Sequence, residues 1–127
     1  MNKIALLASP LLLVACAPMA MPAGTYPEGP ARLGETVYVG GPTVRPVAVI
    51  EDSRCPVSVT CVWAGRLKVR VEVGTGSGKH LMDVTLGEPV QVADGMLTLT
   101  DATPHTWQSP PIRPVEYHFT FKFEGGL

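Results

Sequence analysis

Residues 66–73 alternate strictly: Arg66, Lys68, Arg70 and Glu72 interleave with Leu67, Val69, Val71 and Val73. A charge on every second residue, with an aliphatic side chain between, is the pattern of an extended strand with one face in water and one in a core. A helix would scatter the same residues around its whole circumference. Tyr117, Phe119, Phe121 and Phe123 repeat the alternation against His118, Thr120, Lys122 and Glu124. Weaker period-two runs lie at 35–39, 45–50, 80–86, 90–93 and 96–100. Residues 47–50 are apolar on both faces, which predicts a central strand covered on each side. Turn formers separate the runs: Gly40-Gly41-Pro42, the Gly/Ser-rich stretch 74–78, Gly87-Glu88-Pro89, and Asp94-Gly95 as a tight hairpin. No stretch keeps an amphipathic helical period. The expected fold is all-β, a small antiparallel β-sandwich or barrel of about seven strands, Ig-like in size but without the Cys-Trp-Cys signature of that fold. Its expected core is Val47, Val49, Leu67, Val69, Val71, Met82, Val84, Leu86, Leu97, Leu99, Tyr117, Phe119 and Phe121.

The start of the chain follows different rules. Met1-Asn2-Lys3 carries one positive charge, and residues 4–14 form an apolar run of eleven broken only by Ser9 and Pro10. A spanning helix needs about 20 apolar residues, so the run fits a secretory leader instead. It ends in Leu13-Val14-Ala15-Cys16. This tetrapeptide resembles the bacterial lipobox. The resemblance implies a diacylglyceryl thioether on Cys16, cleavage just before it, and a third acyl chain on the new amino terminus. At ~0.8 kcal/mol per buried methylene, two or three chains hold a protein firmly on a membrane. The alternative is an ordinary leader cut near Ala17 or Ala20. Residues 1–15 are therefore expected to be a lipoprotein signal peptide, 16–33 the lipidated Cys and a Pro-rich tether, and 34–127 the β-sandwich domain. Residues 17–32 contain four Pro and two Gly and no apolar period, as a partly extended tether would. Ala17 stands where an Asp retains lipoproteins of enteric bacteria at the inner membrane, so the expected location is the outer membrane, facing the periplasm.

Loss of residues 1–15 removes Lys3 and leaves nine basic against eleven acidic residues, a formal charge of −2. No block of like charge occurs, which disfavours nucleic acid and anionic lipid as partners. With Cys16 acylated, Cys55 and Cys61 remain, and in an oxidising envelope compartment two cysteines this close are expected to form a disulfide. The loop so closed is short, worth about 2 kcal/mol in chain entropy, so its main effect is to fix a turn. Around it, Glu51 and Asp52 end a strand and point to opposite faces, and Asp52 or Ser53 accepts loop N–H groups. Arg54 is expected to pair with Glu51 or Asp52 on the surface, for ~0–1 kcal/mol. Trp63 is expected to pack beside the bridge, and Gly65 to take a positive φ.

Asp52-Ser53-Arg54-Cys55-Pro56, four intervening residues, and Cys61-Val62-Trp63-Ala64-Gly65 make the chain resemble a group of small bacterial lipoproteins that carry D-S-R-C-P-x4-C-V-W-A-G. The likeness extends more loosely to the later strands and to the Pro-containing loop before the last one. It implies a small β domain on a lipid anchor. No activity comes with it.

Residues 102–114 form a second segment without strand period, thirteen residues with four Pro. Long loops are often functional, and stiff ones present His105, Trp107, Gln108 and Arg113 to a partner at low entropic cost. The alternative is that Trp107 caps the core and the prolines block edge pairing. The candidate binding surface is Arg54, Trp63, His105, Trp107 and Arg113. His80, His105 and His118 have no compact ligand spacing, and Cys55-x5-Cys61 is not a zinc pattern. No metal site or cofactor is assigned, although His80 and Met82 together would suit copper(I). There is no G-x-S-x-G, no H-E-x-x-H and no phosphate-cradling loop before a helix, so no catalytic residue is assigned and the chain is not expected to be an enzyme. The expected function is that of a membrane-anchored lipoprotein, a non-catalytic binding or envelope-structural module with an envelope protein or glycan as partner. The alternatives are a periplasmic inhibitor of a protease or lysozyme and a copper carrier.

Overall fold

A computed structural model describes residues 10, 12–14, 26–56, 60–62, 65–105 and 111–125. Within them the chain is all-β, with seven antiparallel strands in two sheets. β1 (Val37–Tyr38), β2 (Thr43–Asp52), β3 (Leu67–Thr75) and β4 (Gly78–Thr85) form a four-stranded meander. β5 (Val90–Val92), β6 (Gly95–Thr103) and β7 (His118–Gly125) form a three-stranded one. The sheets do not close into a barrel, so of the two architectures expected the sandwich is realised.

The alternation at 66–73 becomes β3. Leu67, Val69, Val71 and Val73 are fully buried against Leu97 and Leu99 of β6 and Phe119 of β7. Each such side chain contributes about 1.5–3 kcal/mol of burial. Ala31, Val37, Val39, Val44, Val92 and Ala102 are also buried in the core and, like Val73, were not expected there. Val49, Met82 and Leu86 pack against it while remaining partly exposed.

Two expected features of β2 need correction. Val47 is 42% exposed rather than buried, and Ile50 is 43% exposed, so residues 47–50 are not covered on both faces. The β2–β3 register shifts between Pro46 and Ala48 and again between Val49 and Glu51. Each bulge adds one residue, so the inward side chains run Val44, Pro46, Val49, Asp52 and the phase changes twice. A continuous apolar run here records a change of phase, not two-sided burial.

Pro46 sits in β2 without costing a ladder bond. Leu86 N–H donates to the Leu67 carbonyl (2.9 Å), so odd-numbered β3 residues bond to β4 and even-numbered ones to β2. Pro46 lies opposite Val71, so its nitrogen faces away from β3, on the side where β1 has ended. Its carbonyl, on that same side, accepts from Gly34 N–H at 2.7 Å.

The β5–β6 turn is displaced from its expected place. Val92 pairs with Gly95, so Ala93 and Asp94 are the turn residues and Ala93 takes φ 51°. Gly95 is needed for space: a Cβ there would stand 2.6 Å from the Phe123 ring and 2.7 Å from the Gly125 Cα. The end of the segment expected as tether is drawn in as well. Ala31 is fully buried and exchanges two backbone hydrogen bonds of 2.8 Å with Phe119 on the edge of β7.

Candidate functional site

β2 delivers Asp52 to the inner face at one end of the sandwich, opposite Leu67. The chain then turns into the cysteine loop, and the two legs of that loop are tied together at its base. Ser53 N–H donates to the Arg66 carbonyl (2.9 Å), and Arg66 N–H donates to Ser53 Oγ (3.0 Å). Gly65 lies so close to the other leg that a Cβ would fall 2.7 Å from the Arg54 Cα. Gly65 is therefore selected by close backbone approach, and its φ is not among the positive ones. Beyond this base Cys55 and Cys61 form the expected disulfide, with Cα atoms 5.8 Å apart.

Arg54 folds back beneath the loop. It is 8% exposed, and this corrects its assignment to the binding surface. The physical reason lies in its partners. Nε and Nη2 form a fork on the Asp52 carboxylate at 2.8 and 2.9 Å, while Nη1 donates to the carbonyls of Pro104 and His105, both at 2.9 Å. A guanidinium with four such bonds tolerates burial that a singly paired cation would not. Tyr117, which enters β7, stacks on Phe119 with ring centroids 5.5 Å apart and donates its hydroxyl to Asp52 Oδ2 at 2.8 Å. One side chain thus joins the end of β2, the cysteine loop and the start of the Pro-rich loop, and Tyr117 ties in the last strand.

Charge in this cluster is fixed. Burial by itself pushes the Asp52 carboxyl up, but the hydrogen bonds from Arg54 and Tyr117 outweigh it and hold the group below the usual aspartate range. Burial, then the bond to the Asp52 carboxylate, push the Tyr117 phenol up to about 12. Near neutrality both groups sit far from their titration points, which suits a permanent clamp and is unsuited to general acid–base work. Beside the clamp lies a cleft of about 270 Å³ lined by Asp52, Pro111, Ile112 and Tyr117.

The remaining candidates fall into three groups. His105 contributes its carbonyl to Arg54, while its imidazole is 74% exposed and lies 3.3 Å from the Asp101 carboxylate. Arg113 is exposed and starts a short 3-10 helix (Pro114–Glu116), with its N–H donating to Glu116 at 2.7 Å and its Nη2 at 3.3 Å. Cys16, Trp63 and Trp107 lie outside the described residues. Among the described residues no three His, Cys, Asp or Glu side chains gather as metal ligands; His80 is exposed and Met82 half-buried. Asp52 and Tyr117 were missed as members of the site. Their signals were an Asp two positions before an Arg, and a hydroxyl at the head of an otherwise phenylalanine series. No protein-family model, curated protein or solved structure matches the chain.

Proposed function

We propose that this chain is a lipoprotein of the bacterial envelope, anchored through Cys16 and acting as a non-catalytic binding module. The observation that carries the binding half is the Arg54 clamp, which holds the cysteine loop and the start of the Pro-rich loop together at one end of the sandwich. Holding the described bases of the two loops in place lowers the entropy lost when a partner docks. The partner class is an envelope protein or glycan, met by the exposed His105 and Arg113 and by the aromatic residues Trp63 and Trp107 that the two loops carry. The anchoring half rests on the leader and on Leu13-Val14-Ala15-Cys16, and the outer-membrane location on Ala17. A second reading, inhibition of a protease or lysozyme, draws on the same observation, because a disulfide-closed, clamped loop suits insertion into a preformed cleft.

The test joins both halves. Mass spectrometry of the envelope-extracted protein is expected to find an acylated Cys16 as the first residue, and Cys16→Ser is expected to release the chain from the membrane. Crosslinking in the native envelope is expected to capture a discrete partner that Trp107→Ala loses. An unmodified terminus further along the chain would sink the anchor, and capture indifferent to Trp107 and Arg113 substitutions would sink the two-loop surface. Inhibition of a lysozyme or periplasmic protease at micromolar concentration would select the second reading.

A further inference from the structure

Exposed strand edges invite pairing with other chains, and proteins block them by shortness, proline, bulges or cover. In this sandwich most edges are blocked in one of those ways. β1 has two residues, and beyond it the free side of β2 carries Pro46 and two bulges. β5 has three residues, and Ala31 covers part of β7. β4 is different. It runs for eight residues in unbroken register with β3 and contains no proline or bulge.

The phase set by the Leu86–Leu67 bond directs the backbone groups of even-numbered β4 residues to β3. The N–H and C=O groups of Lys79, Leu81 and Asp83 therefore point out of the sheet, and among the described residues none has a backbone partner there. The side chains of these three residues lie on the outer face, beside Glu72 and Arg70, and Leu81 is 64% exposed.

We propose that β4 pairs antiparallel with β4 of a second copy of this chain, about a two-fold axis through Leu81, to make one continuous eight-stranded sheet. In that register Lys79 stands opposite the partner's Asp83 at both ends, and Leu81 opposite the partner's Leu81. The three outward residues of each copy then exchange about six backbone hydrogen bonds across the junction. Charges already on the face extend over it. Asp83 is bonded to Arg70 at 2.9 Å and Lys79 lies 3.7 Å from Glu72, so Glu72, Lys79, the partner's Asp83 and the partner's Arg70 alternate in sign. Slipping the register by two residues sets Lys79 against the partner's Leu81 or Thr85, and in-register parallel pairing sets Lys79 against the partner's Lys79. The charges therefore select the two-fold arrangement.

Full-length chain in its native envelope carries the test. Residues that exchange backbone bonds across an antiparallel pair have Cα atoms about 5.5 Å apart, within disulfide reach. Leu81→Cys is therefore expected to give a covalent dimer on mild oxidation. Ser77→Cys, on the exposed turn next to β4, lies eight residues from its copy in this register, about 27 Å, and is expected to give none. Adding Lys79→Asp, or separately Asp83→Lys, to Leu81→Cys is expected to cut the linked dimer about tenfold, since repulsive pairs replace attractive ones. Mixing those two singly charge-altered chains restores an Asp–Lys pair at both ends and is expected to restore linkage, which a misfolded variant would not do. Equal linkage at 77 and 81, no linkage at 81, a product of another mass, or linkage indifferent to Lys79→Asp would each overturn the proposal.

Discussion

Removing Arg54 strands a buried carboxylate. With methionine at position 54 Asp52 loses its guanidinium and keeps only the Tyr117 hydroxyl and the long backbone N–H bond from residue 54 (3.4 Å), and loss of one member of a buried ion pair costs about 3–5 kcal/mol. Urea denaturation of Arg54→Met is expected to show a loss of that size. Arg54→Lys is expected to recover only part of it, because an ammonium is a point charge that cannot fork on Asp52 while reaching two carbonyls. The same cluster sets the dependence on pH. Asp52 holds its proton less tightly folded than unfolded, so its contribution is complete above about pH 4 and is lost as pH falls through the lowered folded value. Tyr117 holds its proton more tightly folded, so its contribution is complete below about pH 10 and is lost as pH rises toward about 12. Urea midpoints measured across pH are expected to fall at both ends. Asp52→Asn is expected to flatten the acid limb and Tyr117→Phe the alkaline one, and unchanged limbs in these variants would disprove the assignment.

Among the strands, legibility followed regularity. β3 and β7 carry a strict alternation over most of their length, and the sequence pointed to both within two residues of their bounds. β2 was located but its burial was misjudged, because two bulges reset which side chains face the core and nothing in a run of Val, Ala and Ile marks the reset. The β5–β6 turn shows the converse, a glycine beside an Asp that reads as a turn yet serves the strand. Gly95→Ala is expected to destabilise by about 1–3 kcal/mol, the usual cost of forcing atoms into a packed interior, since its methyl group would press on Phe123 and Gly125. Gly76→Ala, where the added methyl group meets nothing within 4 Å, is expected to be close to neutral. Equal thermal midpoints for the two variants would refute the close-approach account.

At the scale of the molecule, the all-β class and the disulfide were legible because each is announced locally, by period and by spacing. The clamp was not. Arg54 and Pro104 are 50 positions apart, and the contact between them exists only once both sheets have closed. The sequence showed an Arg beside an Asp and put it on the surface, where most such pairs belong. The choice of acceptors on the far side has its own consequence. Arg54 grips Pro104 and His105 by their main-chain oxygens, which every amino acid possesses. The mount is therefore indifferent to the identity of the His105 side chain, and related chains are at liberty to re-decorate that rim, trading one specificity for another, while the seat beneath it stays the same.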